Sequence, residues 1–133
     1  MTLTPVHIPA ALTPVVILAR PQMGENIGAT ARAMKNCGLL SLRIVSPRDG
    51  WPNPAAEPMA GSAADILETA EIYDSLPNSL HDISYLVATS ARPRNMEKPV
   101  FTPRKAIANL IKQQTLQHHG ENRRSALLFG AER

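Results

Sequence analysis

The chain has 133 residues, 44% of them hydrophobic and 19% charged, with a formal net charge of +3. This suits one globular domain large enough to bury a core. Cys37 is the sole cysteine, which excludes a disulfide-stapled secreted scaffold and makes a reducing cytoplasm the expected location. No apolar run approaches bilayer-spanning length and no basic-then-apolar leader is visible, so neither a membrane span nor a signal peptide is expected.

In chain order, Val15–Ala19 is a short β-branched run of the kind buried in parallel sheets. A turn-rich connection leads to Asn26, a good N-cap residue, and to a predicted helix over residues 27–37 with Ile27, Ala31 and Met34 on one face. Gly38 suits its C′ stop, and Cys37 reads as a packing residue. Leu42–Val45 is the second predicted strand. The proline-rich stretch 47–58 reads as a loop, and residues 60–70, rich in alanine, as one helix. A short strand over 71–74, a short helix over 76–82 and a buried strand over 85–89 follow. A long loop spans 90–103, a helix 104–114 and a fifth apolar strand 125–130. The expected fold class is α/β, a Rossmann-like parallel sheet with helices on both faces, and residues 1–133 form a single domain. The chain stops three residues after the fifth strand, where such a domain would continue with a covering helix; this predicts a C-terminally truncated domain.

Charge is uneven along the chain. Residues 1–90 carry five basic against eight acidic residues, a net of −3, and residues 91–133 nine against three, a net of +6. The basic segment from Arg92 to Lys105 suits a polyanion such as RNA, and equally a solvated loop. Aromatic residues make up only 4% of the chain, which argues against stacking platforms for single-stranded nucleic acid.

Ligands of open parallel sheets bind beyond the carboxyl ends of the strands. Three segments project there: residues 20–32, residues 89–94 and residues 130–133. At the start of the first helix, Gly28 under Arg32, four residues on, leaves room for a phosphate or a sugar edge; an amphipathic helix with Arg32, Lys35 and Asn36 on its wet face is the plainer alternative. Thr89-Ser90-Ala91-Arg92 leaves a strand through small residues that a flat ring could approach; a simple strand exit with its hydroxyls on backbone groups is the plainer alternative. The four histidines show no metal-ligand spacing with Cys37, so no metal is expected. Dinucleotide, Walker and serine-elbow motifs are absent.

These residues resemble a known family. Asn26-Ile27-Gly28-Ala29-Thr30-Ala31-Arg32-Ala33-Met34 with Gly38-Leu39, then 42–47, Ala60-Gly61-Ser62-Ala63, Ala88-Thr89-Ser90-Ala91-Arg92 and Leu128-Phe129-Gly130-Ala131-Glu132-Arg133, occur in the order of the SpoU/TrmH class of SPOUT RNA 2′-O-methyltransferases. The pattern is most similar to the TrmJ-like subgroup, which acts on the anticodon loop of tRNA, and runs from about Val15 to Arg133. The resemblance implies a trefoil-knot methyltransferase domain, S-adenosylmethionine as methyl donor, tRNA or rRNA as substrate, and a homodimer with active sites near its interface. It makes Arg32 the catalytic arginine and Asn26 a residue shaping its site. Thr89, Ser90 and Ala91 would line the cofactor pocket, with Gly130 and Glu132 opening the second motif. Arg20, Lys35, Arg92, Arg94, Arg104 and Lys105 are the candidate RNA contacts. The later family motifs have no counterpart before Arg133, so the knot is expected to be incomplete and S-adenosylmethionine binding by these 133 residues weak or absent. A catalytically incompetent fragment that keeps the α/β fold and at most weak RNA binding is the alternative.

Overall fold

The computed structural model describes residues 13–89, 99–116 and 124–131. Five strands, β1 (Val15–Ala19), β2 (Leu42–Val45), β3 (Glu71–Tyr73), β4 (Ile83–Ala88) and β5 (Arg124–Gly130), form one sheet in the order β3-β2-β1-β5-β4. Every pairing is parallel. The helices are α1 (Gly24–Asn36), α2 (Ala56–Ala60), α3 (Ala64–Glu68), α4 (Leu76–Ser79) and α5 (Pro103–Leu116).

Handedness explains which face each helix covers. The steps β1 to β2, β2 to β3 and β4 to β5 all move the same way across the sheet. Right-handed crossovers therefore put α1, α2, α3 and α5 on one face. The step from β3 to β4 runs the other way and puts α4 on the opposite face. The side chains agree: Val16, Leu18, Leu42 and Ile44 pack with Ile27, Ala31, Met34, Ala60 and Ile66, whereas Val15, Ile17 and Ala126 pack with Leu76 and Leu80. The central strand β1 is apolar on both sides because both its faces are covered.

Four expectations need correction. Asn26 is not the N-cap: α1 begins at Gly24, with extended Met23 as a cap that makes no side-chain bond. Asn26 is instead the third helical residue, and its backbone N–H donates to Met23 O at 3.1 Å. Glu25 in the first turn suits the helix dipole. The alanine-rich helix starts earlier, at Ala56, inside the stretch read as a loop. Pro58 is tolerated there because first-turn N–H groups have no helical partner. That helix is also broken, since Gly61 takes φ +56° and a 3₁₀ turn over Gly61–Ala63 intervenes before α3. The strand read as buried over 85–89 runs over Ile83–Ala88 and alternates half-buried with exposed, because it is an edge strand with α5 over one face only. Cys37 is exposed rather than packed. The C-terminus of α1 does follow expectation: Leu39 N–H donates to Met34 O and Gly38 N–H to Lys35 O, with Gly38 at φ +75°, a Schellman closure.

Candidate functional site

The sheet order places β1 beside β5, and the connection leaving β1 runs away from β5. This is the switch point at whose carboxyl edge open α/β sheets bind ligands. Ala19, Pro21, Phe129 and Gly130 stand at that edge. They open onto an apolar cavity of about 370 Å³ bounded also by Thr30, Ala33, Met34 and Cys37 of α1 and its exit. Strands β4 and β5 reach the edge together: Thr89 N–H donates to Leu128 O at 3.0 Å, and the Thr89 hydroxyl to the same oxygen at 3.3 Å. Ala88, Thr89, Gly130 and Ala131 are all small and exposed.

Gly130 has a structural reason to be glycine. A Cβ there would collide with the Ala19 carbonyl, so the residue lets β5 close on β1. Gly28 is explained in the same way, which corrects the reading of a phosphate-sized space under Arg32. A Cβ on Gly28 would strike the Ala56 carbonyl, and α2 itself fills that space.

Arg32 is exposed and makes no hydrogen bond or ion pair among the described residues. Lys35 is engaged: its ammonium donates to Ser62 O at 2.8 Å and pairs with Asp65 at 3.1 Å, tying α1 to α3. That bond holds the Asp65 carboxyl below the usual carboxylate range. Arg20 turns the chain off β1 at φ +48°, its backbone N–H on Val45 O. Arg104 and Lys105 are exposed in the first turn of α5, and Lys105 Nζ lies 5.7 Å from the Phe101 ring centroid. Ser90, Ala91, Arg92, Arg94 and Glu132 lie outside the described residues.

The flanks of α1 separate these groups. Thr30, Ala33 and Cys37 face the cavity toward β5, while Gly28 and Lys35 face α2 and α3. At about 100° per residue, Arg32 falls about 40° beyond Gly28, on the flank away from β5. Asn26 falls about 120° from Arg32 around the axis, on the cavity flank, and its carbonyl accepts from the Thr30 hydroxyl at 2.8 Å.

Sequence reasoning missed a charged cluster at the opposite end of the sheet. Arg43 of β2, buried under α4, makes a two-pronged bond to Asp82 at 2.6 and 2.8 Å and donates to Ser79 O at 2.7 Å. The Arg43 guanidinium holds the Asp82 carboxyl below the usual carboxylate range, and the pairing in turn raises Arg43. Burial lowers Arg124 of β5, which spans β1 to reach Ser41 Oγ and Thr13 O. The only sequence signal was an arginine inside an otherwise apolar strand.

Comparison with known proteins agrees with this architecture. Residues 13–133 match the model of the SpoU rRNA Methylase family. The tRNA (cytidine/uridine/adenosine-2′-O-)-methyltransferase TrmJ of Pseudomonas aeruginosa is 38% identical over 117 residues, covering 88% of this chain and 43% of its own length. The uncharacterized tRNA/rRNA methyltransferase LasT of Escherichia coli is 37% identical over 117 residues, covering 88% of this chain and 49% of its own. The crystal structure of TrmJ from Z. mobilis ZM4 superposes with a TM-score of 0.78 at 44% identity, covering 91% of this chain and 50% of that one. The chain thus spans about half the length of the curated relatives it matches. With the parallel sheet, the Asn26–Arg32 helix and this match over nearly all its residues, the chain belongs to the SpoU rRNA methylase family.

Proposed function

We propose that this chain carries the arginine-bearing part of an S-adenosylmethionine-dependent RNA 2′-O-methyltransferase acting on tRNA. The observation that carries this reading is Arg32, an exposed cation with no hydrogen-bond or ion-pair partner among the described residues, on the motif helix of this family. The named relatives that methylate tRNA riboses support the substrate class; rRNA is the other substrate the family description names.

The small exposed residues Ala88, Thr89, Gly130 and Ala131 fit the edge-on approach of a flat group such as adenosine, since no side chain there bars the backbone. Thr89 and Gly130 would hold the cofactor, which supplies an electrophilic methyl on a sulfonium with a good leaving group. What remains for the protein is to orient the ribose and lower the cost of the anionic 2′-oxygen. A guanidinium stays protonated and so is a poor base. Arg32 instead donates hydrogen bonds to a phosphate or to the developing alkoxide. Asn26 shapes the neighbouring flank of α1.

Arg32 lies on the flank of α1 turned away from β5, whereas Thr89 and Gly130 lie on β4 and β5. This favours a homodimer in which the arginine of one copy serves the cofactor edge of the other. The test is methyl transfer to tRNA transcripts, run beside calorimetry with S-adenosylmethionine on the chain and on a full-length version matching its relatives. Arg32→Ala is expected to lower transfer at least about 100-fold while leaving cofactor affinity within about twofold of wild type. Mixing Arg32→Ala with Thr89→Trp, each inactive alone, should restore about a quarter of the activity through hybrid dimers. Equal activity of Arg32→Ala and wild type would remove Arg32 from the mechanism, and absence of recovery on mixing would remove the shared site.

A further inference from the structure

Five aromatic side chains occur in the chain, and two of them, Phe129 and Phe101, are exposed. Trp51 packs on the α1-side core, and Tyr73 lies beneath α4 with Arg43 against its ring. Tyr85 is half-buried on β4. Phe129, 39% exposed, borders the cavity between β1 and α1, and no cation lies over its ring among the described residues. The fifth, Phe101, is 40% exposed just before α5, beside Val100 at 93%. Large apolar side chains held in solvent cost hydration free energy that packing does not return.

Among the described residues, one cation lies over Phe101. Lys105 holds its ammonium 5.7 Å from the ring centroid, and its backbone N–H donates to the Thr102 hydroxyl at 3.4 Å, fixing the turn that carries both residues. No Asp or Glu occurs in α5, which carries Arg104, Lys105 and Lys112. Lys105 and Lys112, seven residues apart, share one line of the helix, away from the buried Ala106, Leu110 and Gln114. Two cations in a first turn with no acid beside them oppose the helix dipole. An exposed aromatic ring with an ammonium over it, at the start of a helix whose charged residues are all basic, complements a polyanion that also offers flat, unpaired rings.

We propose that Phe101, with Val100 beside it and Lys105 over it, is a stacking post for one unpaired base of the RNA substrate. This rests on the RNA reading above and adds to it a residue that selects single-stranded over helical RNA. A single post is consistent with the chain's low aromatic content, because one exposed ring holds one base and forms no platform.

The test uses a tRNA anticodon stem-loop carrying 2-aminopurine at each loop position in turn. Wild type should quench the fluorophore at one position. Phe101→Leu should lose the quench and bind about tenfold more weakly, within the roughly 5- to 150-fold range of one lost base–aromatic stack. Phe101→Tyr should keep both. Val100→Asp, at a nearly fully exposed position where folding is not at stake, should also weaken binding by adding a negative charge beside the stack. Wild-type affinity and quench in Phe101→Leu would overturn the proposal while leaving the RNA reading intact. A change in oligomeric state at unchanged RNA affinity would overturn it in favour of a contact between copies. Failure of the wild type to bind RNA at all would overturn both.

Discussion

At Gly28 a local rule and a tertiary contact oppose each other, and the tertiary contact wins. In an isolated helix, Gly→Ala gains about 1 kcal/mol. Here the new Cβ meets the Ala56 carbonyl, a backbone atom that cannot move without α2. Gly28→Ala is therefore expected to destabilise by about 1–3 kcal/mol in urea denaturation. A gain in stability would show that α2 yields. Asp82 provides the pH-dependent counterpart. Removing it leaves the buried Arg43 guanidinium with only the longer Glu71 pair at 3.6 Å and the Ser79 carbonyl, so Asp82→Asn should cost about 3 kcal/mol at neutral pH. The folded carboxyl titrates below its unfolded value of about 3.9. Its contribution is thus complete above that value and is lost as pH falls through the folded pKa. The stability gap between wild type and Asp82→Asn should close in acid and stay constant from pH 5 to 8.

At the scale of elements, what the sequence disclosed and what it hid follow from the range of the interactions. The strand Val15–Ala19 was legible because burial on both faces leaves a continuous apolar run, and Leu42–Val45 because its other three residues are apolar around Arg43. The Schellman end at Gly38 was legible because every group in it lies within six residues. The start of α1 was not, because Gly24 packs against Asn53, far along the chain, and a good cap at Asn26 was a plausible local substitute. The break at Gly61 was hidden among alanines whose propensity favours a continuous helix. Because nothing lies within 4 Å of a Cβ placed at Gly61, only its backbone dihedrals, φ being positive, resist substitution. With ψ at −124° Gly61 also lies outside the left-handed helical region, so Gly61→Ala should cost about 1–3 kcal/mol in thermal or chemical melts, and no loss would show that the turn re-forms without a positive φ. The Asn26–Arg32 spacing was readable as a motif, yet the flank on which Arg32 lies became clear only once Gly28 and Lys35 were seen to face α2 and α3.

Across the whole molecule, the two ends of the sheet differ in chemistry. The amino edge holds paired charges, Arg43 with Asp82 and Arg124 spanning β1, while the carboxyl edge holds small residues and an apolar cavity. Positive charge is concentrated in residues 91–133. RNA affinity should therefore fall steeply with salt, and replacing Arg104 and Lys105 by glutamine should reduce the log–log salt slope by about 1 to 2. An unchanged slope would place the RNA elsewhere on the surface.

The strand order has a consequence for how the chain is made. β5, the last of these five strands to leave the ribosome, lies between β1 and β4, and more than a hundred residues separate Ala19 from Arg124. Until it arrives, the nascent sheet exists as a three-stranded part and a lone β4, each with an open edge where β5 belongs. No order of earlier pairing can join them. β5 is thus the keystone of this sheet, and the interval before it emerges is when an apolar β1 edge is exposed to other chains. A slow translational pause upstream of residue 124 would lengthen that exposure, whereas rapid completion or a chaperone holding β1 would shorten it.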